Sequence, residues 1–173
     1  MTLAKLKILP VLCLIFCIGF AGGIGIKIAY ESSLSRPYSW GENDPPIVVN
    51  CYGEDFSQIQ MIRAIDYWTI RGHNIGFYEH NPPSEICDNN HLWGFIMLRK
   101  GGIDDEMTLA LTTRRTSGTR IRSAVIQYSP GSQNLDLINE HELGHALGYS
   151  HVEIENHIMH PSYDKMGADF FVP

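Results

Sequence analysis

Cysteine is scarce in this chain, and repeated sequence is absent. Only four of the 173 residues are cysteine, and two of these, Cys13 and Cys17, lie in an apolar stretch near the start. The rest of the chain can therefore form at most one disulfide, between Cys51 and Cys87, and the sequence does not show whether the two meet. The lack of internal repeats and low-complexity tracts excludes repeat architectures. The length is that of one globular domain.

Basic residues are also in short supply. All 19 acidic residues lie at or beyond Glu31, whereas three of the 13 lysines and arginines precede it, so the chain from Glu31 onward carries a net charge of about −9. A protein that binds nucleic acid needs a basic surface. We therefore expect no nucleic-acid partner.

One long hydrophobic run occurs, ILPVLCLIFCIGFAGGIGI at residues 8–26, which is uncharged and flanked by lysines. About 20 apolar residues span a bilayer as a helix, so residues 1–30 are predicted to form an amino-terminal transmembrane anchor. A cleaved signal peptide is the alternative, because residues 21–23 are small. The protein is then either a single-pass membrane protein with an extracytoplasmic domain or a secreted one.

The remaining chain divides into a polar linker at residues 31–45 and one domain at residues 46–173. Runs of β-branched residues predict strands, and apolar residues spaced by three and four predict helices. Predicted strands cover residues 47–52, 74–80, 91–100, 107–113 and 121–129, and two predicted helices cover residues 55–72 and 134–148. This order predicts an α/β (or α+β) fold with a mixed, mostly parallel sheet and an antiparallel edge strand.

The second predicted helix contains HELGHALGYSH at residues 141–151. His141 and His145 are four residues apart, so their rings lie on one face of the helix. One zinc ion can bind both rings at about 2.0–2.1 Å. The spacing therefore predicts a metal-binding helix.

The third ligand decides the kind of metal site. Gly148 is predicted to end the helix in a left-handed conformation, which lets the chain reverse and bring His151 to the metal. A glutamate from a distant helix is the other common arrangement, but Glu153 and Glu155 are too close in sequence to come from one. His151 is therefore the preferred ligand.

Glu142 directly follows His141 and projects beside the ligand pair. A catalytic zinc has three protein ligands and one position for water, whose pKa it lowers to about 7. Glu142 is positioned to take a proton from this zinc-bound water and pass it to a leaving amine. The motif therefore predicts peptide-bond hydrolysis.

HELGHALGYSH resembles the H-E-x-x-H-x-x-G-x-x-H signature of the metzincin zinc endopeptidases. With IMHPSY at residues 158–163, it is most similar to the matrixin branch and its small bacterial relatives. The resemblance implies a metzincin-like fold, with Met159 in a Met-turn that forms an apolar floor beneath the metal. It also implies that an edge strand at residues 108–112 pairs with an extended peptide substrate, and that residues 160–163 form the wall of a pocket beside the zinc. The substrate-binding residues would be Thr108, Leu109, Ala110, Leu111, Pro161 and Tyr163.

The carboxy-terminal part departs from the family pattern. Only residues 162–171 are left for the helix that usually follows the Met-turn, so a short C-terminal subdomain is expected. An incomplete cleft would favour a zinc-containing binding or assembly protein that is catalytically weak. A zinc amidase acting on a cell-wall peptide is a further alternative, with the same chemistry on another substrate.

Two groups of charged residues have more than one interpretation. Asp104, Asp105 and Glu106 offer oxygen ligands for Ca²⁺, although a solvated acidic turn is the simpler interpretation. The arginines could attract an acidic substrate, but such charges more often protect a strand edge from unwanted pairing. These arginines are Arg114, Arg115, Arg120 and Arg122.

Overall fold

A computed structural model describes residues 37–103, 105 and 107–171. Its strands are β1 (Ile47–Asn50), β2 (Tyr78–Glu79), β3 (Phe95–Lys100), β4 (Ala110–Ser117) and β5 (Arg120–Tyr128). Its α-helices are α1 (Gln58–Thr69), α2 (Ser84–Cys87) and α3 (Ile138–Leu147), and single 3₁₀ turns lie at Ser132–Asn134 and Tyr163–Lys165. The structure therefore has the predicted mixed α/β composition.

The five strands form one sheet in the order β2-β1-β3-β5-β4. Neighbouring strands are parallel except for β4, which pairs with β5 in the antiparallel sense, from Ala110 opposite Tyr128 to Ser117 opposite Arg120. This confirms the prediction of a mostly parallel sheet with an antiparallel edge strand. The hairpin turns at Gly118, whose φ of 62° suits glycine.

Several element boundaries differ from the predicted ones. β2 has two residues instead of seven, because only Tyr78 and Glu79 pair with β1. β4 extends to Ser117, since the run predicted to be a connector continues to pair with β5. α3 begins at Ile138, because Leu137 takes a left-handed conformation with φ of 61° after the 3₁₀ turn.

Both long helices pack on the same face of the sheet. Met61, Ala64 and Trp68 of α1 are fully buried against α3 and the sheet. The indole Nε1 of Trp68 donates to the carbonyl oxygen of Glu140 at 2.7 Å, which joins α1 to α3. Successive strand residues face opposite sides, so a smaller cluster on the other face contains Val49, Met97 and Val125.

Cys51 and Cys87 form a disulfide with a Cα–Cα distance of 5.4 Å. The bond joins the chain after β1 to α2, a helix of four residues that the sequence pattern did not predict. The pairing that the sequence leaves open is thus formed.

Part of the predicted linker packs on the domain. Ser39 pairs with the start of β5 through two backbone hydrogen bonds, to Thr119 and Ile121. The indole Nε1 of Trp40 donates to the carbonyl oxygen of Ala146 at 2.9 Å. This segment therefore contacts the carboxyl end of α3.

Within residues 37–103, 105 and 107–171, no helix combines the length and the apolar character needed to span a membrane. The predicted transmembrane anchor at residues 1–30 lies outside the described residues. After α3, the described chain contains no further α-helix, only the 3₁₀ turn at Tyr163–Lys165. This agrees with the short C-terminal subdomain expected from the sequence.

Candidate metal centre

α3 places His141 and His145 side by side. Their ring centroids are 4.6 Å apart, as expected for residues four apart on one helix face. His141 is only 6% exposed, and α3 is buried along almost its whole length. The first two predicted ligands are therefore held by the packed core.

Gly148 ends α3 and turns the chain back toward these two rings. Its φ is 113°, and the backbone N–H of Tyr149 donates to the carbonyl oxygen of Gly144 at 3.0 Å. A Cβ atom at Gly148 would also lie 2.0 Å from the carbonyl oxygen of Tyr38. Glycine is therefore needed here for both conformation and space.

His151 returns to the other two histidines after this turn. Its ring centroid lies 4.6 Å from that of His145 and 5.4 Å from that of His141. One ring nitrogen from each residue lies within 4.8 Å of the others. The three predicted ligands therefore converge on one point, as the sequence motif requires.

Hydrogen bonds behind two of the rings orient their free nitrogens. The Nδ1–H of His141 donates to the carbonyl oxygen of Ile158 at 2.7 Å, and that of His145 donates to the carbonyl oxygen of Tyr149 at 2.9 Å. A carbonyl oxygen can only accept, so both rings carry their proton on Nδ1 and leave the Nε2 lone pair for a metal.

Burial keeps these imidazoles neutral. It lowers the pKa of His141 to about 4 and that of His145 to about 3, and it also lowers the pKa of the more exposed His151. Neutral imidazoles are ligands for zinc and related transition metals, whereas calcium and magnesium prefer oxygen. The donor set therefore fits a zinc ion, with three protein ligands and a position left for water.

Glu142 lies next to this centre, on the same helix. It is 4% exposed, and its Oε2 accepts a hydrogen bond from the Oγ1–H of Thr112 on β4 at 2.6 Å. Burial raises the pKa of Glu142 to about 7, although the bond from Thr112 works in the opposite direction. A carboxylate whose pKa is close to neutral is well suited to accept and release a proton.

Met159 is fully buried and packs against α3 at Gly144. A Cβ atom at Gly144 would lie 2.5 Å from the Sδ of Met159 and 2.5 Å from the ring of Trp68. The carbonyl oxygen of Met159 accepts from the N–H of Val152 at 2.9 Å. Met159 therefore links the segment that carries His151 to the buried side of α3, and its role as an apolar floor beneath the metal, which the family resemblance implies, stays a prediction.

A cleft of about 830 Å³ opens over the three histidines and Glu142. It is lined by residues 107–112, by residues from α3, and by residues 149–151 and 160–164. All six residues predicted to bind substrate line it, namely Thr108, Leu109, Ala110, Leu111, Pro161 and Tyr163. The structure brings these residues together in one cleft, and their contact with a substrate stays a prediction.

Sequence reasoning placed Thr112 only in the strand that pairs with substrate, and Arg114 only among charges that protect a strand edge or attract an acidic substrate. The Nη1 of Arg114 donates to the carbonyl oxygen of His145 at 2.6 Å and contacts that of Tyr149 at 3.4 Å. Arg114 is thus bonded to the carboxyl end of α3 and is not simply a charge that protects the strand edge. The alternation of β4 groups Ala110, Thr112 and Arg114 on one face, but only the pairing with β5 shows that this face is the one toward α3.

Two further histidines near the centre, His157 and His160, lie outside the three-histidine group. His157 accepts from the N–H of Met159 at Nδ1 and contacts the carbonyl oxygen of Phe171 at Nε2. His160 accepts from the N–H of Ser162 at Nδ1. Of the acidic turn considered for calcium, Asp105 accepts from Met107 and Thr108. Asp104 and Glu106 are not among the described residues, so the calcium site stays a prediction.

Comparison with known proteins identifies a family. The family model described as Matrixin matches residues 64–172, which is more than half of the chain and includes the three histidines, Glu142 and Met159. A search of curated proteins gives no match.

Proposed function

This chain belongs to the matrixin family of zinc metallopeptidases, and from this premise we propose that it is an endopeptidase in which Glu142 is the general base. One observation carries the proposal. Three imidazole nitrogens that converge within 4.8 Å lie in an open cleft beside a buried carboxylate. Such a constellation is typical of metal-assisted hydrolysis.

The zinc ligands and Glu142 have different roles in the proposed hydrolysis. A bound zinc ion supplies a Lewis acid that polarises the peptide carbonyl and lowers the pKa of water. Glu142 accepts a proton from the attacking water as the new carbon–oxygen bond forms. It then delivers that proton to the nitrogen of the leaving amine as the carbon–nitrogen bond breaks. His141, His145 and His151 would hold the zinc ion.

The cleft supports an extended peptide as the substrate. β4 is an edge strand, and among the described strands only β5 pairs with it. Its second edge therefore has backbone donors and acceptors for β-strand addition. The peptide would lie along the start of β4 and the two residues before it, at residues 108–111. Pro161 and Tyr163 line the side of the cleft that would receive a substrate side chain.

A peptide-library experiment tests this activity. The zinc-loaded full-length chain is incubated with a proteome-derived peptide library, and new amino termini are identified by mass spectrometry. We expect cleavage that is lost in the chelator-treated protein and restored by zinc. Absence of cleavage by folded, zinc-loaded protein would contradict the proposal and favour a zinc-containing binding protein. Cleavage confined to added cell-wall peptides would instead indicate an amidase.

We also propose that the domain lies outside the cytosol, either held by a membrane anchor at residues 1–30 or secreted after cleavage. The uncharged run at residues 8–26 and the disulfide between Cys51 and Cys87 support this location, because disulfides persist in oxidising compartments. An intact mass near 19.5 kDa would correspond to retention of the first 30 residues. Free thiols at Cys51 and Cys87 in protein isolated under thiol-blocking conditions would contradict the location.

A further inference from the structure

The hydrogen bond between Thr112 and Glu142 connects β4 to α3 across the base of the cleft. The Oγ1 of Thr112 lies 2.6 Å from Oε2 of Glu142 and 3.2 Å from the carbonyl oxygen of the same residue. A hydroxyl has one hydrogen, so the shorter contact is the one that receives it when the carboxylate is ionised. Glu142 thus has a fixed partner on the sheet.

The bond accounts for one of the two carboxylate oxygens. No other described residue bonds to the Glu142 side chain, so Oε1 is left for a water molecule or a substrate. Glu142 itself lines the cleft, and it directly follows a predicted zinc ligand. A general base works well in this arrangement, in which a hydrogen bond fixes one carboxylate oxygen and the other oxygen can accept a proton.

The strand register brings the hydroxyl to this position. Thr112 pairs with Ile126 of β5, whose side chain is fully buried beneath α3. Thr112 therefore faces α3, whereas its neighbour Thr113 is exposed and faces away. The carboxylate partner is consequently part of the paired sheet and not of a free loop.

We propose that Thr112 is a positioning residue, which holds Glu142 in the rotamer that turns Oε1 toward the reacting water. This inference rests on the proposed peptidase function and adds a residue to its machinery. The second contact of Thr112 supports both states of the base. When Oε1 carries the proton taken from water, the hydroxyl of Thr112 can keep donating to Oε2 or turn to the carbonyl oxygen at 3.2 Å.

Three variants test the proposal in the zinc-loaded full-length chain. Thr112→Val has the same shape without the hydroxyl, Thr112→Ser keeps the hydroxyl, and Thr113→Val is the control on the opposite face. Loss of a hydrogen bond to a charged group predicts that Thr112→Val lowers kcat by about 10–100-fold. Its KM should change by less than about twofold, because the bond acts on the base and not on substrate binding. Thr112→Ser should restore most of kcat, and Thr113→Val should behave like the wild type.

Crystal structures of the zinc-loaded wild type and Thr112→Val provide a measurement that does not depend on turnover. We expect Glu142 to occupy one rotamer in the wild type and to rotate or spread over several in Thr112→Val. An unchanged kcat in Thr112→Val overturns the proposal, as does a lowered kcat with the Glu142 rotamer unaltered. If the wild type cleaves no peptide, the proposed function fails. The rotamer comparison then decides the positioning role by itself.

Discussion

The Nε2 atoms of His145 and His151 lie 3.0 Å apart, although six residues separate them in sequence. The proton of His145 is on Nδ1, where Tyr149 accepts it, so its Nε2 presents a lone pair to His151. Two nitrogens bound to one tetrahedral zinc at about 2.0–2.1 Å lie about 3.3 Å apart. The turn at Gly148 therefore brings the two rings to nearly the separation that zinc requires.

Replacement of the third ligand should weaken zinc binding without unfolding the domain. His151 is exposed, so His151→Asn should change the free energy of unfolding of the metal-free protein little. Loss of a residue that only hydrogen-bonds to a metal ligand lowers metal affinity by up to about 100-fold. Loss of the ligand itself should therefore lower the zinc affinity by more than about 100-fold. A competition titration with a chromophoric chelator measures the affinity. His160→Asn is the control and should still bind one zinc ion. If the two variants bound zinc equally well, His151 would not be a ligand.

Gly148→Ala should destabilise the protein more than Gly131→Ala. Both glycines have positive φ, 113° and 87°, but a Cβ atom at Gly131 meets no atom within 4 Å. Left-handed alanine costs about 1–2 kcal/mol at either site. The clash with the carbonyl oxygen of Tyr38 should add about 1–3 kcal/mol at Gly148. Urea unfolding of the two variants measures the difference, and equal losses would show that the close approach of Tyr38 does not matter.

Arg114→Met should lower both stability and zinc affinity. The arginine donates to the carbonyl oxygen of His145 and contacts the carbonyl oxygen of Tyr149. The carbonyl oxygen of Tyr149 also accepts the hydrogen bond from the His145 ring. Loss of these bonds should cost about 1–2 kcal/mol of unfolding free energy and about tenfold in zinc affinity. Arg115→Met, at the exposed neighbouring position, is the matched control. Wild-type zinc affinity in Arg114→Met would remove Arg114 from the support of the metal centre.

The disulfide should contribute measurably to stability. Cys51 and Cys87 are 36 residues apart, and closing a loop of this size stabilises a domain by about 2–4 kcal/mol. Replacing both cysteines by serine should lower the urea midpoint accordingly, with zinc stoichiometry unchanged. The same midpoint in the variant and in the oxidised wild type would show that the bond is absent from the protein in solution.

The metal ligands could be predicted from the sequence because their geometry is mostly local. A spacing of four residues fixes the relation of His141 to His145 within one helix, and a glycine three residues later permits the reversal to His151. The site is completed by the burial of α3 and by the carbonyl oxygens of Ile158 and Tyr149, which accept from the ligand rings. These contacts depend on tertiary packing.

The role of Thr112 could not be predicted, because it depends on register. The pairing of Thr112 with Ile126 determines which β4 side chains face α3. A shift of this register by one residue would have turned Thr113 toward α3 instead. The two-residue length of β2 has a similar cause. Its pairing with β1 is limited to Tyr78 and Glu79, although the strand predicted from the sequence covers residues 74–80.

Glu142→Gln tests the account most directly, because it removes the proton acceptor but keeps the shape of the side chain. The purified variant and wild type are compared for zinc content by mass spectrometry and for cleavage of a peptide selected by the wild type. We predict one zinc ion per chain in both proteins and a decrease in kcat of about 10²–10⁴-fold in the variant. Cleavage at the wild-type rate by fully zinc-loaded Glu142→Gln would contradict the account.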